Sequence, residues 1–578
     1  MRTKNCKIGY PGRLGTLINI SGHPVRPAIA GLGVWAGGGV KDSRNTQEGM
    51  AKKLLYAGSF LREGFEDLGW EVVPLVLDGS RTLQAIVEAA CPDADLVFIE
   101  FFGRSVLPRE MHACSYPLCA YCIDSPLNEF WFADLARLFD WVFVDQQSSV
   151  VSLRSRGIDA LWLPLCVPSS AFRHATDKEH FLTFVGRTTV YRKKRSNLLK
   201  LLQKHFDITI ERNISTAAMQ TLFSRSHVVL NENLFSGLTL RVFQVLASGS
   251  LLLTEAGGQG VERYFCHGKH LLTYSPDTLL PLVEKLQGNI AVWDHVARAG
   301  QQACLNAHQS VHRAQYVLEQ VAKRHRGRSG NLGRQGKQFS EARSRYFHTR
   351  RFGGSYKEAV TLLEGLKHLH TPVGCHAAFM LGSIHAQKGE HETAKPLLAH
   401  GVYANDCFGL IAVMKLMVMH VHDQDNMQWL DAVLKKTMDV GIDIRPFARQ
   451  IMHTKRSSIF ELDVYLLFAA ILYEAGQIMN LGFLKQDKDV FPETSFDYAV
   501  LAYEKFKSVS ALDTLIRCVD SRDVEMEIMP FVEDALLHAV ATDRHVVYAA
   551  EVYKKMYDFR AARSVLGALR KRKQGKRS

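Results

Sequence analysis

The chain has no apolar run approaching the roughly 20 residues needed to cross a bilayer. Its amino terminus, MRTKNCKIGYPGRLG, starts basic but has no apolar stretch of the kind that forms a secretory signal. Together these absences predict a cytoplasmic protein. Cysteine is sparse: eleven residues, scattered and odd in number, which argues for reduced, mostly buried thiols. One cluster, His112, Cys114, Cys119 and Cys122, has the membership of a zinc set. PLCAYCID nevertheless reads as a buried strand, whose alternation sends residues 119 and 122 to opposite faces, so no metal site is expected. Acidic residues are outnumbered, 58 against 71 Lys and Arg, giving a net charge of +13. Much of the excess lies in KRHRGRSGNLGRQGK (323–337) and the terminal RKRKQGKRS. Neither run interleaves aromatics and no nucleic-acid module is recognisable, so nucleic acid is not an expected partner. Solvated linker and tail is one reading of these runs; attraction to an anionic membrane surface or an acidic glycan is the sharper one.

What is present is a long alternation of strands and helices. At 578 residues the chain should hold two to four domains. Helical spacing over 47–68 leads to the strand WEVVPLVL, a helix near 81–90, and strands at 95–102, 117–124 and 140–145. A helix at 147–156 and the strand DALWLPL close the unit. A second unit has strands FLTFVG (181–186), DITIE (207–211), HVVLN (227–231), SLLLT (250–254) and HLLTY (270–274). Helices are expected at 239–248, 277–287, 290–304 and 309–322. Strands separated by helices imply parallel sheets covered on both faces. The predicted fold is therefore α/β followed by all-α. It comprises two tandem Rossmann-like domains (1–170 and 171–322), a basic linker (323–338) and a helical region (339–578) with no strand signal. In that region Leu381, Gly382, His385, Gly389, Ala394 and Leu398 fall at tetratricopeptide spacing, with Ala359 preceding Ala394 by one repeat. Such a solenoid would bind a protein partner on its concave face.

Ligands in sheets of this kind bind at the carboxyl ends of the strands. FVGRTTVYRKKRSNLL (184–199) places Gly186, Arg187, Arg192, Lys193 and Arg195 at one such end, beside a helix start, as an anion would require. Asn231 and the loop to Gly237 lie at another. There TLRVFQVLASGSLLLT forms a helix with Arg241, Gln244 and Ser248 on one side, then Gly249 and a strand. EAGGQG, with Gly257 and Gly258, follows the next strand.

These stretches, together with GKHLLTYSPDTL and the HxxxxRA pattern at His308–Ala314, resemble the nucleotide-binding half of GT-B glycosyltransferases, and among them the CgeB-like (spore-maturation) branch. The resemblance spans about 50–322. It implies transfer of a sugar from a nucleoside-diphosphate sugar to a hydroxyl of a glycan or protein, with no metal or other cofactor required. By position, Arg187 or Arg195 would hold the donor diphosphate, with Gly186, Asn231, Gly237, Arg241, Gly249, Gly257 and Gly258 around it. Gln244 falls where the family has a glutamate that binds the ribose hydroxyls. Glutamate accepts two hydrogen bonds from a diol, whereas glutamine offers a mixed set. The alternative is thus a non-catalytic scaffold with a degenerate transferase half and a partner-binding helical array.

For a catalytic base, Asp124 in CIDSP ends a strand of the first unit, where an acceptor hydroxyl would approach. A side chain capping the turn before Ser125-Pro126 is the competing role. His23 in ISGHPVRP and His112 are further candidates. Asp93-Ala-Asp95 has a DxD shape but precedes a strand, which makes it a turn. GLGVWA (31–36) suits an acceptor-side glycine-rich loop.

Overall fold

The computed structural model describes residues 52–170, 177–188, 192–233, 237–258, 260–324, 332–404, 458–474, 494–520 and 524–575, with a few isolated positions besides. His23 and GLGVWA lie outside the described residues. Those within 44–366 and 462–578 make one compact unit.

The first sheet is six-stranded, fully parallel, and ordered β2-β1-β3-β4-β5-β6. Its strands are β1 (Lys53–Ala57), β2 (Glu71–Pro74), β3 (Leu96–Phe101), β4 (Leu118–Cys122), β5 (Trp141–Val144) and β6 (Ala160–Trp162). The β1 strand corrects the expectation of one helix over 47–68. KLLYA is an apolar run too short to show a period, and Gly58-Ser59 ends it. It pairs with both β2 and β3, and among the described residues of that stretch only Arg62–Asp67 (α1) is helical. Every residue of β3, LVFIEF, is buried, as expected of a strand covered on both faces. Helices α2 (Leu83–Ala90), α3 (Ser125–Leu135) and α4 (Gln147–Ser155) complete the unit.

The second sheet is five-stranded, also parallel, in the order β11-β10-β9-β7-β8. Strands β7 (His180–Val185), β8 (Ile208–Glu211), β9 (Ser226–Asn231), β10 (Leu251–Glu255) and β11 (Leu272–Tyr274) lie close to their expected places. Between and after them run α5 (Lys193–His205), α6 (Thr216–Ser224), α7 (Leu240–Ala247), α8 (Val261–Tyr264), α9 (Leu279–Gly288), α10 (Asp294–Ala307) and α11 (Ser310–Lys323).

The last of these, α11, crosses back to the first unit. A Cβ on Gly64 of α1 would lie 2.3 Å from the Ser310 carbonyl, so the two helices meet where only glycine fits. Arg313 staples the chain between the sheets: Nε donates to Pro164 O (2.8 Å) and Nη1 to Ala307 O (3.1 Å). His308, wedged among Phe243, Tyr264 and Phe265, accepts at Nδ1 from Arg313 Nη2 (2.8 Å). Burial drives its pKa down to about 2, so it is neutral. The HxxxxRA pattern is thus part of the crossover.

The rest of the described chain is helical. α12 (Arg334–Phe352) lies on α3, with Arg343 Nε 3.0 Å from Asp134 and His348 4.7 Å from the Trp131 ring. α13 (Lys357–Glu364) follows it. In a separate compact unit, α14 (Pro372–Gln387) and α15 (His391–Gly401) form an antiparallel pair. A Cβ on Gly382 would lie 2.9 Å from Leu398 Cγ, and Ala394 is fully buried. No helix among the described residues is long and apolar enough to cross a membrane.

Candidate functional site

The carboxyl ends of both sheets face one crevice. Gln146, just past β5, makes a two-way hydrogen bond with the backbone of Leu238, past β9: Nε2 donates to the carbonyl (3.0 Å) and Oε1 accepts from the N–H (2.9 Å). Trp162, ending β6, lies against Gly260, where a Cβ would come within 2.9 Å of its ring. The indole Nε1 donates to Asp145 O at 3.1 Å. Buried hydrogen bonds and a flat aromatic contact thus fix the two units beside the crevice.

Three carboxylates stand at the first unit's side. Glu100 is buried and accepts from Tyr56 Oη and from the N–H groups of Ser59 (2.8 Å) and Phe60 (3.1 Å). Asp145 is buried as well. It accepts from Asp124 N (3.0 Å), Ser125 N (3.0 Å), Ser125 Oγ (2.6 Å) and Gln146 Nε2 (3.1 Å). Asp145 therefore caps α3. Asp124 adopts a left-handed conformation (φ 54°) at the N-cap, but its side chain makes no capping bond. The turn-cap role considered for Asp124 falls to Asp145. Asp124 itself is exposed. Desolvation and the negative Asp145 push its pKa up to about 6, and the Arg192 cation opposes them.

Across the crevice, the second unit offers cations. Arg195, in the first turn of α5, has Nε 2.5 Å from Glu232 and Nη1 2.9 Å from Arg187 O. Lys194 Nζ is 2.6 Å from Glu255 at the end of β10. Arg187 is exposed, and its carbonyl rather than its side chain is engaged. Arg241 differs. Its guanidinium carbon sits 5.8 Å from the Phe184 ring and 5.9 Å from Phe223, and Arg195 lies 5.4 Å from the same Phe184 ring. Among the described residues Arg241 has no ion-pair partner, and its buried Nε has no hydrogen-bond partner. Burial, then the Arg195 charge, lower its pKa to about 10, so it remains cationic at neutral pH. A buried donor without an acceptor costs about 1–3 kcal/mol, and two ring faces recover only part of that. The arrangement favours an anion that supplies the missing acceptors.

The other expected donor-site residues divide. Gln244 is half-buried one turn along α7, on the side of Arg241. Asn231 is buried and donates to Thr254 Oγ1 (3.0 Å) and Asn233 Oδ1 (3.2 Å), so it braces the strand ends. Gly237 is buried beside the Leu238 latch. A Cβ on Gly186 would crowd the Phe184 ring at 3.0 Å, and one on Gly258 would meet Asn233 Nδ2 at 2.7 Å. Gly257 turns the loop with φ 83°. Gly249 lies elsewhere. It ends α7 with φ 74° at the amino edge of the sheet, where Lys178 Nζ donates to its carbonyl at 3.1 Å. It is a helix stop away from the crevice, because α7 runs from the carboxyl edge to the amino edge before β10 begins.

His112 Nδ1 is bound to the buried Glu341 at 2.6 Å, which ties α12 to the first unit. Asp93 pairs with Lys53 (2.8 Å) and Asp95 accepts from Lys53 N (2.8 Å), both ahead of β3, as a turn requires. Cys119 and Cys122 are buried in β4, and burial holds both thiols protonated. Among the described residues no cluster of His, Cys, Asp and Glu could hold a metal ion. The sequence reading did not single out Asp145, Gln146, Trp162, Glu232 or Glu255. Each acts through a partner far along the chain.

Residues 171–319 match a family of proteins described as glycosyl transferase-like. No curated protein sequence matches the chain. Among solved structures the chain is similar to Anabaena Alr3699/HepE in complex with UDP and glucose. The identity is 12%, over 47% of this chain and 100% of that one, with a TM-score of 0.37. It is also similar to sucrose-phosphate synthase from Thermosynechococcus elongatus, at 11% identity over 47% of this chain and 98% of that one, TM-score 0.36. A third is an alpha-glucosyltransferase in complex with UDP and a 13-mer DNA, at 10% identity over 47% and 100%, TM-score 0.37. Residues 171–319 are thus similar to a glycosyl transferase-like domain.

Proposed function

We propose that the crevice transfers a sugar from a nucleoside-diphosphate sugar to a hydroxyl of a glycan or protein. The observation that carries this reading is Arg241, a half-buried cation whose buried Nε has no hydrogen-bond partner and which has no anionic partner among the described residues, at the carboxyl edge of the matched domain. The diphosphate would accept from Arg241, with Arg192 and exposed Arg187 nearby, while Arg195 and Lys194 are held in place by Glu232 and Glu255. Fixed cations of this kind stabilise the leaving diphosphate as charge develops on it, the role a metal plays elsewhere, so the proposed reaction is metal-independent. Asp124 would take the proton of the acceptor hydroxyl: a carboxyl titrating at about 6 is a carboxylate at neutral pH yet basic enough to accept.

The similar structures in complex with UDP make a uridine nucleotide the first donor to try. The pattern in TLRVFQVLASG supports a CgeB-like assignment, and the α14–α15 pair supports tetratricopeptide-like packing that would recruit a protein partner. The test is thermal shift of the full chain with UDP-, GDP-, ADP- and dTDP-sugars, since a ligand bound only by the folded state raises the melting temperature. At least one should raise it, and that one should be consumed slowly in water. A protein indifferent to all of them does not have this function.

A further inference from the structure

The end of the chain reaches the same pocket. Helices Asp543–Lys555 and Phe559–Gly575 form a hairpin whose turn is pressed into the second α/β unit. Tyr557, in that turn, is 4% exposed and packs with the strand residues Leu253, Leu272 and Tyr274. Its φ of 58° is left-handed, at a position after a helix where glycine would be unstrained. The turn keeps a tyrosine there, and its side chain enters the sheet. Asn197 Nδ2 on α5 donates to Met556 O (3.0 Å), and Lys554 pairs with Asp277 (2.8 Å), so the hairpin is held on both sides.

The hydroxyl sits between Tyr274, with which it shares a hydrogen bond, and Glu255. Tyr557 Oη lies 3.4 Å from Glu255 Oε1, while Glu255 Oε2 takes Lys194 Nζ (2.6 Å) and Asn233 N (3.3 Å). Asn233 Nδ2 in turn donates to Glu255 O at 2.7 Å. Lys194 adjoins Arg195 and Asn233 adjoins Glu232, the two halves of the ion pair at the mouth of the pocket. We propose that Tyr557 is a positioning residue of the donor pocket: by fixing Glu255 it sets the Lys194 and Arg195–Glu232 pairs, so nucleotide binding and docking of the C-terminal hairpin are coupled. The inference rests on reading that pocket as the nucleotide site. Coupling of this kind is reciprocal: a nucleotide tightens the hairpin as much as the hairpin tightens the nucleotide.

The test compares full-length wild type with Tyr557→Phe, which keeps the ring and removes only the hydroxyl, using UDP, GDP, ADP and dTDP as probes. Affinity is read by calorimetry, and amide hydrogen exchange over 553–562 is read with and without the best-binding nucleotide. Nucleotide should slow exchange in the wild-type turn. Tyr557→Phe should bind about tenfold more weakly and lose most of that nucleotide-dependent protection, a change that a purely structural role would not produce. Equal affinity and equal protection in the two proteins overturn the proposal. Should Tyr557→Phe not fold, Lys554→Ala loosens the hairpin from outside and must also weaken nucleotide binding; an unchanged affinity overturns the proposal equally. If no nucleoside diphosphate binds the wild type, the pocket reading itself fails and the role of Tyr557 falls with it.

Discussion

The two carboxyl edges that face the crevice carry opposite charge but manage it in the same way. On the first edge, Glu100 and Asp145 are sealed by backbone N–H groups and hydroxyls of their own unit, and Asp124 is left open to the crevice. On the second, Lys194 and Arg195 are tied to Glu255 and Glu232, and Arg241 is left unpaired among the described residues. Charges that a fold satisfies locally are structural. Those it leaves over are the candidates for chemistry, because an unsatisfied group persists only where something else supplies the compensation.

The largest effect should come from removing the leftover carboxylate. Asp124→Asn should lower transfer to an acceptor by about 10²–10⁴-fold while nucleotide affinity stays the same. In the wild type, transfer should rise with pH through a midpoint near 6, as the carboxyl loses its proton and becomes able to accept one. That rise should be absent in the asparagine variant. A pH-rate profile of both proteins checks the two statements together, and retention of full activity in the variant would leave Asp124 out of the reaction.

Next comes the leftover cation. Arg241→Met should weaken nucleoside-diphosphate binding by roughly 10–150-fold, the span of about 1.5–3 kcal/mol for hydrogen bonds to a charged group. The same change should raise the melting temperature of the unliganded protein by about 2–4 °C, because a half-buried charge with an unpartnered Nε is replaced by an apolar chain of similar reach. Opposite signs for stability and binding distinguish a functional cation from a structural one. Calorimetry and thermal melts on one preparation decide it, and a lower melting temperature would make Arg241 structural.

A smaller effect should follow from loosening the two edges. Gln146→Ala leaves the Leu238 N–H and carbonyl without their partner, which should cost about 1–3 kcal/mol in denaturant unfolding. Transfer should fall with it, since Leu238 leads into α7 and so helps place Arg241.

The second edge was easier to read in the sequence than the first, for physical reasons. FLTFVG, HVVLN and SLLLT are strongly apolar strands bounded by glycine, asparagine or charge, and α7 has one clean apolar side, so local pattern located them. KLLYA misled because a five-residue buried strand shows no period of its own. The segment SPLNEFWFADL gave no helical signal because α3 buries Asn128, Phe130, Trp131, Phe132 and Leu135 on nearly every side, with α12 covering its outer face. The latches were beyond any local pattern: Gln146 and Leu238 are 92 residues apart, and Tyr557 and Glu255 are 302 apart.

The amide at position 244 sharpens the comparison most finely. Arg241 and Gln244 are three residues apart on α7, close enough for side chains to meet. A glutamate at 244 would do two opposing things. It would offer both carboxylate oxygens to a ribose diol, and it would draw on the guanidinium that is otherwise free for the diphosphate. Gln244→Glu should therefore change nucleoside-diphosphate affinity by less than about fivefold, the two terms being each of order 1 kcal/mol and of opposite sign. Inorganic pyrophosphate, which lacks the ribose, should bind the variant more weakly than the wild type. Calorimetry with both probes separates the terms. A gain in nucleotide affinity of about 100-fold would mean instead that the glutamine leaves the second edge degenerate, and that the chain acts as a scaffold.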